Sequence, residues 1–307
     1  MLKYFIKRLL QGLPVLFTVV TLTFIIMHVV PGGPFDKDKK LPPEIIANIE
    51  TSYHLDKPLL QQYLLYLQQI TKGELGPSYK YLGRDVSDII RDTFPVSLTL
   101  GLCAVFVTLV LGVPAGIVSA YRQNSFFDRV CIFFATLGIS FPNFVLGTLL
   151  IFVFSHWLHL LPPALWEGPR HVLMPAFVLG AGFAGYIARL TRTTLLEVLG
   201  ADYIRTARAK GLDESVVLLK HALKNSLFPI ISVMGPVTAG LVTGSFVVEF
   251  IFSVPGMGNF FITAVTNRDY PLIMGVTVVY AVLIVIANIL VDMIYVWLDP
   301  RVSLGRE

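Results

Sequence analysis

Charged residues are scarce in this sequence of 307 residues, because Asp, Glu, Lys and Arg together make up only 14% of it. Ordinary globular domains carry roughly 25% charged residues. Hydrophobic residues make up 55% of the chain, and its mean hydropathy is +0.71. Such a composition cannot cover the water-facing surface of a soluble domain. It excludes a soluble globular protein and indicates an integral membrane protein.

The common motifs of nucleotide and hydrolytic chemistry are also missing. The sequence has no G-x-x-x-x-G-K-[ST] segment and no Gly-Lys dipeptide, so nothing predicts a loop that holds ATP phosphates. It also has no H-E-x-x-H and no G-x-S-x-G segment, the commonest zinc-protease and serine-hydrolase signatures. We therefore expect no catalytic residues and no cofactor in this chain.

Cysteine is nearly absent, and basic residues form no continuous face. Cys103 and Cys131 both lie in apolar runs, so we interpret them as small buried hydrophobic residues rather than a disulfide or a metal pair. The net charge of +4 comes from basic residues beside hydrophobic ends, which argues against nucleic-acid binding. Four residues of one loop resemble metal ligands, but we interpret them as interfacial side chains and expect no metal: His156, His159, Glu167 and His171.

Long apolar runs predict an all-α membrane protein with about six transmembrane helices. The first run, Leu9 to Val30, follows a basic start but has no A-x-A site and exceeds the ~7 to 15 residues of a cleavable signal, so we expect it to be retained. We expect the third helix to be broken near Phe141-Pro142. The later predicted helices are Val96 to Ala120, Val130 to Trp157, Val172 to Ala188, Leu227 to Val248 and Leu272 to Leu298.

Lys and Arg residues of the short connections predict the orientation of the helices in the cytoplasmic membrane. Most of them fall on one side, which places both termini, residues 1–8 and 300–307, in the cytoplasm. The long loop 31–93 then faces outward, ahead of a core of five helices, 94–299. The residues on the cytoplasmic side are Lys3, Lys7, Arg8, Arg122, Arg129, Arg189, Arg192, Arg205, Arg208, Lys210, Lys220, Lys224, Arg301 and Arg306, against Arg170 and Arg268 outside.

Helical spacing of apolar residues predicts two short amphipathic helices in the outer loop. Three uses are open for them: they lie on the outer membrane surface, cover a vestibule, or pack against neighbouring loops. The apolar positions are Ile45, Ile46, Ile49, Leu59, Leu60, Tyr63, Leu64 and Leu67. Two acids, Glu249 and Asp292, lie near opposite ends of their helices, where we expect water or a basic partner to reach them.

The cytoplasmic loop of about residues 197–226 predicts two short helices joined by a glycine corner. The first, Tyr203 to Lys210, places Ala207 on one face with Gly211, which can end the helix. Asp213 suits the start of a second helix. Its predicted apolar side consists of Val216, Val217, Leu219 and Leu223. Such a pair would suit docking of another protein, and binding of anionic lipid headgroups by a basic interfacial pair is the alternative.

These residues resemble the EAA loop of the membrane subunits of type I ABC importers. Arg205 stands where that motif has Glu, Thr206 and Ala207 stand at its alanines, and Gly211 keeps its glycine. Although the first positions depart from the general motif, TARAKGL followed by HALKN looks like the version in peptide-transporting members. Further stretches resemble the B-type permease subunit of oligopeptide importers: KYFIKRLL, PGGPF, LPPEIIANIE, FPVSLTLG, EFIFSVPGMG, NRDYPLIMG and LDPR.

The resemblance implies a type I ABC importer (MetI-like) permease bundle that moves oligopeptides inward. It implies a second homologous permease subunit, two ATPase subunits that bind ATP and Mg, an extracytoplasmic peptide-binding protein, and surrounding membrane lipids. The ATPases would engage Tyr203, Arg205, Thr206, Ala207, Arg208 and Gly211.

The path of the substrate and its identity are less closely defined. Polar residues in or beside the apolar runs are candidates for lining the path, although each also suits helix packing: Ser140, Asn143, Thr238, Thr243 and Ser245. Alternative functions are a permease for dipeptides, glutathione, nickel or an antimicrobial peptide, or an unrelated channel. Neighbouring genes for a second permease, P-loop proteins and a binding protein would distinguish an importer from a channel.

Overall fold

A computed structural model describes residues 2–31, 55–81 and 83–298. Apart from one isolated bridge between Pro77 and Asp85, every regular element in these ranges is a helix. In chain order the helices are α1 (Leu2–Val29), α2 (Leu59–Lys72), α3 (Val86–Tyr121), α4 (Phe126–Ser140), α5 (Asn143–Leu150, continued by the π-helical Ile151–Trp157), α6 (Pro169–Leu199), α7 (Asp202–Ala209), α8 (Glu214–Val216, π-helical Val217–Ala222 and Leu223–Val242), α9 (Phe246–Ile251), α10 (Met257–Asn267) and α11 (Tyr270–Leu298).

The described residues contain five helices long and apolar enough to cross a membrane, and α4 with α5 gives a sixth crossing if that pair counts as one. The two helices of the pair are bent by 108° at a break beside Pro142. Pro142 has no backbone N–H and disfavours helical geometry at the residue before it, Phe141. The predicted number of membrane helices and the predicted break are therefore confirmed.

Glycines let the central helices α3 and α6 approach closely. A Cβ built on Gly112 of α3 would lie 2.8 Å from the carbonyl oxygen of Ala184, and one on Gly180 of α6 would lie 2.7 Å from that of Ala104. Where lipid surrounds the helices, association depends on such tight packing, because burial from water does not drive it. The glycines of these two helices therefore maintain the centre of the bundle.

The bundle has two ends, which we name after the short helix at each. At the α2 end, Val86 and Ile89 of α3 pack with Leu272 of α11. At the α7 end, Ala120 of α3 packs with the last turns of α6, with α7 and with the start of α8. The second predicted amphipathic helix of the long loop is present as α2, whereas Ile45, Ile46 and Ile49 of the first lie outside the described residues.

Helix α6 is longer than the predicted Val172 to Ala188, because it continues to Leu199. Its basic residues had marked the expected end of the membrane segment. Instead, Arg192 donates from Nε and Nη2 to the two carboxylate oxygens of Asp128, both at 2.9 Å. Asp128 is buried and also accepts a hydrogen bond from Ser119. This ion pair compensates the positive charge of Arg192 on α6. It also joins the first turn of α4 to the last turns of α6.

The two acids of the helix ends have different surroundings. Asp292 forms an ion pair with Arg8, 3.1 Å from its Nε, as expected of a residue with a basic partner. Glu249 contradicts the expectation, because it is fully buried. Its carboxylate accepts from Ser97 Oγ at 2.8 Å and from the backbone N–H of Asn259 at 3.1 Å, and neutral donors replace the expected water or cation.

Candidate functional site

Helix α7 is a short element at one end of the bundle, and a glycine ends it. Gly211 has φ +74° and its N–H donates to the carbonyl of Arg208 at 2.9 Å, which closes the helix in a left-handed C-terminal turn. A left-handed conformation costs other residues roughly 1–2 kcal/mol, so glycine suits this corner. The predicted role of Gly211 in ending the helix is confirmed.

One face of α7 is buried against the remainder of the bundle. Ile204 and Ala207 pack into the cluster that contains Ala120, Leu195 and Val217. This result corrects the prediction that Ala207 contributes to an exposed docking face, because only 7% of Ala207 is exposed. The spacing of small residues identified a real face of the helix, but that face contacts the chain itself.

Two polar contacts hold α7 against the start of α8. Arg208 donates to both carboxylate oxygens of Glu214, from Nε at 3.1 Å and from Nη2 at 2.6 Å. Asn225 Nδ2 donates to the hydroxyl oxygen of Tyr203 at 2.8 Å. Bidentate guanidinium–carboxylate pairs fix orientation as well as distance. Helix α7 and the first turns of α8 are therefore joined at both ends of α7.

The start of α8 is capped as predicted by Asp213, whose carboxylate accepts from the backbone N–H of Ser215 at 2.8 Å and also from its hydroxyl. These hydrogen bonds from Ser215 lower the pKa of Asp213 below its ordinary value, so the cap stays ionised near neutral pH. An ionised cap is favourable at a helix N-terminus.

The apolar side predicted for this second helix is only partly correct. Val217 is fully buried, whereas 61% of Leu219 and 39% of Val216 are exposed. The missed inward residue is Ala222, which is buried beside Val217. The local π-helical geometry of Val217–Ala222 changes which residues share a face, and ordinary helical spacing cannot anticipate that change.

The outward surface of this region combines basic, hydroxyl and apolar side chains. We call it the knob surface, and it consists of the exposed residues Tyr203, Arg205, Thr206, Leu212, Val216 and Leu219. Arg205 lies 3.5 Å from Asp202, and that pair is largely exposed, so it is a weak contact. A rigid projection with apolar and basic groups side by side is well suited to enter a cleft in another protein.

The five residues predicted to line a path do not form one site. Ser140 is exposed and Asn143 half-buried at the bend between α4 and α5, whereas Thr238 lies in an apolar groove between α3, α8 and α11. Thr243 and Ser245 belong to the turn between α8 and α9. No hydrogen bond within the described ranges joins these residues to one another.

A more continuous surface lies on α8 and was not predicted as a unit. Pro229, Ser232, Pro236 and Gly240 recur every three or four residues and are all exposed. Because prolines lack a backbone N–H, the helical partner of the Asn225 and Ser232 carbonyls is missing. A Cβ on Gly240 would meet open space. The proline and glycine spacing was the available signal for this face.

The histidines considered as metal ligands do not belong to a cluster of ligand side chains in the part of the chain that the structure describes. His156 is exposed near the end of α5, and His159 contacts the carbonyl of Trp157 at 3.3 Å. Within residues 2–31, 55–81 and 83–298, no three His, Cys, Asp or Glu side chains come together in an arrangement that could hold a metal ion.

Two family models match this chain and together cover most of it. Residues 112–304 match the family described as binding-protein-dependent transport system inner membrane component. Residues 1–101 match the family described as the N-terminal part of the membrane component of binding-protein-dependent transport systems.

Curated relatives are similar over the whole length. The dipeptide transport system permease protein DppB of Bacillus subtilis (strain 168) is 44% identical over 307 residues, covering 100% of both chains. The oligopeptide transport system permease protein OppB of Haemophilus influenzae is 42% identical, and OppB of Escherichia coli (strain K12) is 41% identical, each covering 98% of this chain and 99% of the relative.

Solved structures share the fold. An inward-facing methionine ABC transporter, MetNI, matches with a TM-score of 0.54 at 18% identity, covering 69% of this chain and 96% of that one. An amino acid ABC transporter matches with a TM-score of 0.53 at 15% identity, covering 68% and 93%. The predicted type I ABC permease bundle is confirmed. The chain belongs to the family of binding-protein-dependent transport system inner membrane components.

Proposed function

We propose that this chain is one of two homologous membrane subunits of an ATP-driven importer that carries peptides across the cytoplasmic membrane. Relatives named for dipeptide and for oligopeptide transport are both more than 40% identical over nearly the whole chain, which supports peptides as the substrate class. The α2 end would face outward, toward a peptide-binding protein, and both termini would be cytoplasmic.

The observation that carries the proposal is the knob surface. Ile204 and Ala207 anchor α7 in the bundle, while Arg208 and Tyr203 tie it to Glu214 and Asn225 of α8. A force applied to α7 is therefore transmitted to a membrane helix rather than absorbed by a loose loop. Two separate ATPase subunits, which bind ATP and Mg, would receive one such knob from each permease subunit and move it when they close.

The exposed face of α8 suits the path of the substrate. Ser232 and Gly240 lie on it with Pro229 and Pro236, and the carbonyl groups that these prolines leave without a helical donor make the face polar without charge. A path for peptides has to accept many side chains, and uncharged backbone groups impose little preference. In a two-subunit importer this face would meet its counterpart across the path.

The test is Thr206→Glu, which adds a charge at an exposed position of the knob surface without filling a buried space. The chain is produced with a second permease subunit and two ATPase subunits, and ATP-dependent uptake of a labelled peptide is measured with a peptide-binding protein present. We expect copurification of the ATPases and uptake to fall at least about tenfold, as for an interface residue worth about 1.4 kcal/mol.

The matched control is Thr71→Glu at the opposite end of the molecule. Both threonines are exposed on short helices and donate to a backbone carbonyl within their own helix, Thr206 to Asp202 and Thr71 to Gln68. Thr71→Glu should leave ATPase binding unchanged. Full uptake and full ATPase binding by Thr206→Glu would exclude the knob surface as the docking site.

A further inference from the structure

A cavity of about 220 Å³ lies at the α2 end, between α1, α2, the segment after α2 and the first turns of α11. Five of its lining residues carry aromatic rings: Phe24, His28, Tyr66, Tyr79 and Tyr270. The rings support one another: Phe24 and His28 stack with centroids 4.1 Å apart, and His28 meets the edge of Tyr270 at 5.8 Å. Such mutually packed rings form a rigid apolar wall.

Helix α2 contributes three polar residues to the lining, Gln62, Tyr66 and Gln69. Gln62 Nε2 donates to the carbonyls of Leu55 and Lys57, and Gln62 Oε1 lies 3.3 Å from His28 Nε2. Tyr66 is only 7% exposed, and no described residue forms a hydrogen bond with its hydroxyl. The Gln69 carboxamide likewise makes no hydrogen bond within the ranges that the structure describes.

A buried hydroxyl without a partner is unusual, because leaving a buried donor or acceptor without a hydrogen bond costs roughly 1–3 kcal/mol. Burial raises the pKa of Tyr66 well above its ordinary value, so the hydroxyl keeps its proton and remains a donor at physiological pH. The cavity thus offers a ready donor at Tyr66 and a donor and acceptor together at Gln69, one helical turn apart.

The described residues that line the cavity include no Asp, Glu, Lys or Arg. A charged ligand group would therefore lose its water without gaining a counter-charge. The volume is also below the roughly 300–1,000 Å³ of pockets that enclose a complete small molecule. Both properties select an uncharged part of a larger ligand, about the size of one amino-acid residue.

We propose that this cavity binds one apolar or aromatic residue of a peptide, with the side chain among the rings of Phe24 and Tyr270 and the adjoining peptide group hydrogen-bonded to Tyr66 and Gln69. The inference rests on the proposed function for its substrate class and for the outward position of the α2 end. A peptide group contains a carbonyl acceptor and an N–H donor, which the Gln69 carboxamide and the Tyr66 hydroxyl complement.

A phospholipid fits this cavity less well. The ester groups of a lipid supply acceptors but no donor for the carbonyl oxygen of Gln69. Its phosphate would also require a permanently cationic side chain, and the described residues that line the cavity include no Lys or Arg. The site would hold an incoming peptide by one residue, outside the α8 face along which we propose that it moves.

The test uses N-acetyl-phenylalanine amide as the probe, because it presents one aromatic side chain between two peptide groups. Binding to the complete transporter in lipid nanodiscs is followed by saturation-transfer NMR, with N-acetyl-glycine amide as the probe that lacks the side chain. We expect Tyr66→Phe and Gln69→Leu each to weaken binding of the phenylalanine probe by about 2- to 10-fold, the effect of one hydrogen bond.

Tyr63→Phe is the matched control variant. Tyr63 lies on the same helix, but its hydroxyl is 2.7 Å from Thr21 Oγ1 and it does not line the cavity. This variant should bind the phenylalanine probe as the parent does. Thermal unfolding midpoints of the three variants within a few degrees of the parent would show that altered binding is local.

Unchanged affinity in both Tyr66→Phe and Gln69→Leu would overturn the site. Displacement of the phenylalanine probe by lysophosphatidylethanolamine, at a concentration below the dissociation constant of the probe itself, would also overturn it in favour of a lipid site. Peptide uptake by the same purified transporter, reconstituted in sealed liposomes, separates the two proposals. Uptake without Tyr66-dependent binding removes only this site, whereas Tyr66-dependent binding without any uptake supports the site and removes the transport function.

Discussion

Arg208 and Glu214 form a bidentate ion pair across the Gly211 corner, with N–O distances of 3.1 and 2.6 Å. The two residues belong to different helices, α7 and α8, so the pair sets the angle between the knob and the membrane helix that follows it. Both side chains are partly exposed, at 43% and 38%, and solvent screens their attraction. The contribution of the pair to stability is therefore small, and its effect is on geometry.

Reversing the pair should separate geometry from charge. Arg208→Glu places two carboxylates at the corner and should reduce peptide uptake and ATPase binding. The double variant Arg208→Glu with Glu214→Arg restores opposite charges and should recover most of both. The coupling energy from the double-mutant cycle should be on the order of 1 kcal/mol or less in thermal unfolding. Failure of the double variant to regain uptake would indicate that Arg208 contacts the partner directly.

Gly211→Trp should reach the membrane in normal amounts but transport no peptide. The residue has φ +74°, and a Cβ there meets no atom within 4 Å, so a large side chain fits the isolated chain but would project into the docking partner. Uptake and copurification of the ATPases are the measurements, at matched expression.

Gly73→Trp is the control for backbone strain. Gly73 ends α2 with φ +77° and also has open space around its Cβ position, so the two substitutions impose the same cost on the backbone. Gly73→Trp should retain uptake. Equal loss of uptake in both variants would assign the defect to strain and not to docking.

The membrane helices follow from hydropathy, because every crossing needs about 20 apolar residues and leaves a long signal in the sequence. The bend at Pro142 follows from the missing N–H of proline. The end of α6 does not follow from the sequence. Arg192 taken alone indicates a membrane interface, and its pairing with the distant Asp128 is visible only in the structure. A pairing between residues 64 positions apart leaves no local pattern.

The sequence predicts the helix ends of the knob region more accurately than it predicts which of its side chains are exposed. The glycine corner at Gly211 and the cap at Asp213 depend on local backbone chemistry, which the sequence records. Helix α7 has one apolar face, which contains Ile204 and Ala207, and the sequence does not record whether the same chain or a partner covers that face. Glu249 was misplaced for the same reason, because its donors come from α3 and from the start of α10.

Topology can be measured by thiol labelling in a background without the native Cys103 and Cys131. Glu74→Cys lies at the α2 end and Lys210→Cys at the α7 end, and both positions are exposed. The excess of Lys and Arg at the α7 end predicts that an impermeant maleimide added to intact cells labels position 74 and not position 210. Permeabilised cells should show labelling at both, and the reverse pattern in intact cells would contradict the orientation.

Ser97→Ala should destabilise the folded protein, because Ser97 connects three separate elements. Its Oγ donates to Glu249 Oε1 at 2.8 Å and accepts from the backbone N–H of Met257 at 2.8 Å, and both residues are buried. Removing the hydroxyl leaves a buried carboxylate oxygen and a buried N–H without this partner, at a cost of roughly 1–3 kcal/mol. Thr99→Ala, two residues along α3, is the control, since Thr99 is exposed and bonds only to the Pro95 carbonyl of its own helix. The unfolding midpoint of Ser97→Ala in nanodiscs should fall by several degrees and that of Thr99→Ala should not, while equal midpoints would show that the Glu249 contacts contribute little to stability.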